Sequence, residues 1–237
     1  MTSLSKNARI AGLLYIVASV VGILRLAYVP KALFVQGNAA ATATNIAAHE
    51  SLFRLGFVSE LLGGVLWLFV PLALYRLLKE VDKGSAVVMV VLGSLMPVPI
   101  FFANFMTDAA ALLFARGADF LSVFDKPQRE ALAGLFLNLH HQLDLANMIF
   151  WGLWLLPLGL LVYRSRFLPR FLGVWLIVAC FAWLALSLTG LLLPAYEDKV
   201  FTVTQPFAFG EAATMLWLVI LGAKDQKSFL SAAAAPK

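Results

Sequence analysis

The sequence predicts an all-α integral membrane protein: six transmembrane helices in a bundle, with two short extracytoplasmic interfacial helices. Two observations carry this. Of 237 residues, 62% are hydrophobic and only 13% charged, whereas soluble domains carry about a quarter charged residues. The apolar residues also fall in continuous runs near the roughly 20 residues that a helix needs to cross hydrocarbon, not in the short alternating segments of a barrel strand. A backbone in lipid must satisfy its polar groups internally, so such runs are helices. The whole chain, 1–237, reads as a single membrane domain.

The six runs cover about 8–29, 56–78, 86–115, 143–163, 169–193 and 207–222. Lys6 and Arg9 precede the first, a pattern shared with cleaved signal peptides. Its greater length and the five runs that follow favour a retained anchor. Gly63 and Gly64 lie mid-run, where they permit close helix contact. Pro97 and Pro99 should kink the third run, because each removes a backbone donor and crowds the preceding turn. The tryptophans and phenylalanines are expected at the headgroup belts and on the lipid-facing surface.

Two connections are long enough to hold structure. In NAAATATNIAAHESLFRL, Thr42 or Thr44 is placed to cap a short helix with an apolar edge of Ile46, Leu52 and Phe53. In FDKPQREALAGLFLNLHH, Asp125 precedes a first-turn proline, and Leu132, Leu135, Phe136 and Leu139 follow helical spacing. Both read as interfacial helices leading into the next span.

Eleven of the 18 lysines and arginines, including Lys6, Arg9, Arg76, Arg164, Arg170 and Lys224, fall on one side of the six-span topology. The positive-inside rule then puts both termini, including the tail KDQKSFLSAAAAPK, in the cytoplasm of a bacterial plasma membrane. The net charge of +5 is explained by these helix ends, so the expected partner is the lipid bilayer and not nucleic acid. Cys180 is the only cysteine, which excludes an intramolecular disulfide and a thiolate zinc site. No GxSxG, P-loop or GxGxxG pattern occurs. Ser187 and Thr189 are expected to bond back to their own helix.

Polar residues inside such a chain need partners or water, since each ionisable group costs about 2.5 to 3.5 kcal/mol on insertion scales. In the predicted topology Arg25, Arg54, Glu60, Asn104, Asp108, His140, His141, Asp144, Asn147 and Glu211 all fall toward the outer leaflet. His140, Asp144 and Asn147 share a helical face, and His141 lies to the other side of Asp144. The expectation is an outer-leaflet polar pocket, with Asp108, well below the surface, as its leading residue. Arg25 with Asp108, or Arg54 with Glu60, are candidate ion pairs. A faint echo pairs acids with tryptophans about two turns on: Glu60 with Trp67, Asp144 with Trp151, Glu211 with Trp217.

The pieces ARIAGLLYIVASVVGI, ESLFRLGFVSELL, YRSRFLPRFLGVWLIV and FGEAATMLWLVILG, in this order and spacing, resemble a bacterial family of multi-pass membrane proteins catalogued as domain of unknown function 4386. The resemblance runs from about residue 8 to residue 222. It implies an integral membrane protein and no particular reaction.

Three uses of the pocket stay open. The first is handling of a small ligand, ion or proton, with the proline kink as a hinge. The second is a metal-dependent membrane hydrolase with zinc on histidine and carboxylates, weakened by having only His49, His140 and His141 and no HExxH spacing. The third is a polar network that only holds helices together. Haem or quinone binding through His49 or His140 is the remote fourth; no cofactor is expected.

Overall fold

The structure is a computed structural model that describes residues 3–223; the expected tail with Lys224, Lys227 and Lys237 lies outside the described residues. Among them there is no strand, and six helices are long and apolar enough to span a membrane. These are α1 (Ser3–Leu33), α3 (Glu50–Leu78), α4 (Lys83–Arg116), α5 (Lys126–Arg164), α6 (Arg170–Leu192) and α7 (Pro194–Ile220). The short α2 (Ala39–Ala48) precedes α3. All six spans overlap the predicted runs and extend beyond most of them.

Several local details differ from expectation. Asn38, not a threonine, caps α2 by accepting from the Ala41 N–H, while Thr42 lies inside the helix and bonds Val35. The second interfacial segment is not a separate helix. Asp125 and Gln128 form a reciprocal capping box, and residues from Lys126 to Leu153 then run unbroken, because the one proline among them, Pro127, stands in the first turn, where no backbone donor is needed. α5 breaks only at Trp154, three residues before Pro157.

The two widest turns also precede prolines. The π turn Leu24–Tyr28 leads to Pro30, and the π turn Val91–Leu95 leads to Pro97. A proline cannot donate to the carbonyl four residues back, so the turn before it opens. At Pro97 the released Gly93 carbonyl accepts instead from the Trp67 indole N–H, 2.8 Å away. The third run is therefore disturbed where its prolines fall, as a π turn, and a neighbouring helix satisfies the group set free.

The spans form a ring in chain order, with α7 returning to α1. Ile10, Leu13, Val17 and Val20 of α1 are exposed at helical spacing, as expected for a face toward lipid. Two apolar clusters fill the interior. One holds Tyr15, Val70, Leu74, Trp154 and Leu158 near the end where the described termini meet; the other holds Val29, Ile46, Phe53, Phe57 and Leu112 near α2. Backbones approach closely where α5 meets α6: a Cβ on Gly173 would stand 2.6 Å from the Gly159 carbonyl oxygen. Ser187 does not bond back to its own helix. Its hydroxyl donates to the Leu145 carbonyl of α5 at 2.5 Å, because its buried position faces that helix.

Candidate functional site

Along α1, α3 and α4, the polar residues Arg25, Glu60, Asn104 and Asp108 fall between members of the two apolar clusters. The π turn in α1 carries Arg25 inward, where the guanidinium donates to both Asp108 oxygens, from Nε at 2.6 Å and from an Nη at 2.7 Å. Asp108 is wholly buried. Its other neighbour is His140 of α5, with Nδ1 3.1 Å from a carboxylate oxygen.

His140 links this pair to two more acids. Its Nε2 lies 3.4 Å from Asp144, one turn along the same helix, and 3.8 Å from Glu60 of α3. The Asn104 amide completes the connection by donating to Glu60 at 2.8 Å and to Asp144 at 2.7 Å. Six side chains from four spans thus form one connected group. Such a group is stable in lipid only when nearly every charge has a partner.

The remaining expected residues separate. Arg54 does not meet Glu60; it pairs with Glu50 at 2.6 Å, a half-buried carboxylate that also takes Arg116. One helical turn along α3 suffices for Arg54 to reach Glu50, whereas Glu60 points to the interior. His141 faces away from Asp144 and stands 3.3 Å from Glu197 of α7, because a 100° step turns it off the His140 face. Asn147 is buried on that face, yet neither of its amide atoms has a hydrogen-bond partner in the described structure. Glu211 lies apart from the six, accepting from the Tyr15 hydroxyl and, at 2.9 Å, from the Trp183 indole N–H.

A cavity of about 320 Å³ joins these places, with walls from all six spans. Glu60, His140, Asp144 and Arg25 line one part and Glu211 another; Asp108 and Asn104 stand behind the first group. Most of the remaining lining is apolar. Trp67, Trp151, Trp154 and Trp183 belong to it, which corrects their expected placement in headgroup belts. Their depth was the available signal, since Trp67 and Trp154 stand near the middle of their runs and belt residues stand at the ends. The acid and tryptophan echo has a geometric basis in two cases: seven residues is close to two turns, so Glu60 with Trp67 and Asp144 with Trp151 reach the same cavity. Trp217 packs on Phe171 instead.

Metal ligation has one candidate group among the described residues. Glu60, Asp108 and His140 each offer a ligand atom within 4.8 Å of the others. The fit is limited, because both Asp108 oxygens already accept from Arg25. His49 is exposed, with Nδ1 against the Asn45 carbonyl, so it shares no site with His140.

Fold and site together define a multi-pass α-helical membrane protein with a buried polar group beside an internal cavity. The family follows from the sequence comparison. The chain belongs to the family described as Domain of unknown function (DUF4386), whose model matches residues 10–222. No curated protein and no solved structure matches it.

Proposed function

We propose that the protein handles a proton or small cation, together with a small ligand, at the cavity face of the Glu60, Asp144 and His140 group. One observation carries this reading. Asp108 is neutralised by Arg25, which leaves two carboxylates, Glu60 and Asp144, with a single imidazole between them. Even with His140 protonated, one negative charge is in excess. A buried excess charge is expensive in lipid, so the group favours uptake of a positive charge. The role first expected of Asp108 moves to Glu60 and Asp144, because these two line the cavity. In this reading the termini are cytoplasmic and the group lies in the outer half of a bacterial plasma membrane, supported by the bias of lysine and arginine.

The test is a pH jump applied to proteoliposomes on a capacitive sensor. Wild type should give a transient current that Glu60→Gln and Asp144→Asn each remove while the protein remains monodisperse. A current unchanged in both variants, or none in wild type, overturns the reading.

Zinc on Glu60, Asp108 and His140 is the second reading, favoured by the mutual distance of their ligand atoms. Elemental mass spectrometry of protein purified without chelator decides it. About one zinc per chain, lost in His140→Ala, would direct the search to hydrolysis; metal-free protein would end it.

A further inference from the structure

Glu211 carries an observation that the six-residue group does not absorb. Both its oxygens accept from neutral donors, the Tyr15 hydroxyl and the Trp183 indole, an arrangement that suits the ionised form. Among the described residues no arginine, lysine or histidine lies within ion-pair distance of it, and Arg25, the arginine lining the same cavity, is committed to Asp108. An acid placed inside a membrane span normally has a cationic partner.

The surroundings match a particular kind of cation. Tyr15, Trp67 and Trp154 pack on one another with ring centroids 5.3 to 5.8 Å apart, and Trp151 packs edge-on against Trp183 at 5.6 Å. All five line the cavity with Glu211. Aromatic walls beside a carboxylate attract an organic ammonium through the ring faces and bury its apolar part, whereas a small hydrated metal ion gains little from indole. A volume of about 320 Å³ lies in the range of small-molecule pockets, about 300–1,000 Å³.

We infer that the cavity binds a monovalent organic cation with an apolar body, its charged centre toward Glu211 and its body among the tryptophans. This names the ligand class for the proposed function and rests on that reading for the proton step only. A zwitterionic lipid head is the poorer fit, because its phosphate would face Glu60 and Asp144. With Glu60 and Asp144 elsewhere in the same cavity, entry of a cation and release of a proton can be linked through the field they share.

The experiment is equilibrium dialysis of tetraphenylphosphonium, and of tetraphenylborate as a probe of the same shape and opposite charge, against full-length protein in detergent with empty micelles as blank. The cation should bind saturably at one site per chain and the anion should not, a comparison that requires no variant. Glu211→Gln should weaken cation binding at least about tenfold, while Glu50→Gln, which removes an acid outside the cavity, should retain it. Equal binding of both probes, no binding of the cation, or a Glu211→Gln affinity equal to wild type overturns the inference. Cation binding without a pH-jump current would leave the inference standing and remove the proton reading. A current without cation binding would do the reverse.

Discussion

Arg25 and Asp108, 83 residues apart in the chain, meet inside the bundle through two hydrogen bonds of 2.6 and 2.7 Å. Neither group is exposed to solvent to a meaningful degree. They join the π turn of α1 to the segment of α4 that follows its own π turn, so the pair ties together the two helices that proline disturbs most.

Breaking that pair should be costly. Arg25→Leu leaves Asp108 with only His140 beside it, and Asp108→Leu leaves a buried guanidinium without its bonded carboxylate, each a loss of about 3–5 kcal/mol. The double variant should recover much of it. Cys180 is buried and is the sole thiol, so a thiol-reactive dye reports unfolding in detergent directly. Equal melting temperatures for the single and double variants would contradict this coupling.

Trp67 and Pro97 should also be coupled. Trp67→Phe removes the donor that serves the Gly93 carbonyl and should destabilise by about 1–3 kcal/mol. In a Pro97→Ala background residue 97 regains an N–H for that carbonyl, so the same change should cost less. Additive losses across the cycle would refute the exchange of partners.

Close backbone contact makes a contrast among glycines. Gly173→Ala would place a methyl 2.6 Å from the Gly159 oxygen and 2.7 Å from the Tyr163 nitrogen, and main chain cannot yield as a side chain can. The expected penalty is about 1–3 kcal/mol or more. Gly22→Ala meets nothing within 4 Å and should melt close to wild type. Similar behaviour of the two would show that α5 and α6 do not approach this closely.

Outside the spans, Asp82 caps α4. The Ser85 backbone N–H and hydroxyl both donate to its carboxylate and hold it below the usual carboxylate range. Because the folded value is depressed, the cap's contribution is present above the ordinary carboxylate range and is lost as pH falls through the lowered value. Asp82→Asn, which caps without a charge, should flatten that acid dependence while keeping stability near neutrality. An acid profile identical to wild type would exclude this cap as its source.

Much was legible from one dimension because lipid is a demanding solvent. Continuous apolar runs near the required length had to be helices, and the runs at 56–78 and 169–193 lie close to α3 and α6. Depth was legible too: Glu60, Asp108, His140 and Asp144 share a level because position along a rigid helix converts to height. The pairing of Arg25 with Asp108 was among the expected alternatives for the same reason. The extent of α5 was less legible, since the amphipathic segment before residue 143 has no break to mark where the span begins.

Rotation and neighbourhood were decided only in three dimensions. His140 turns inward and His141 outward because α5 presents one face to α3 and α4, and a single step of 100° separates the two. Arg54 went to Glu50 because ion pairing depends on which acid is within reach, not on which acid has the same depth. Four of the six tryptophans surround a cavity because six helices close into a ring, and no run of residues records its own neighbours. Hydrophobicity along the chain determined that the protein spans a membrane; packing between helices determined which polar and aromatic side chains confront one another inside it.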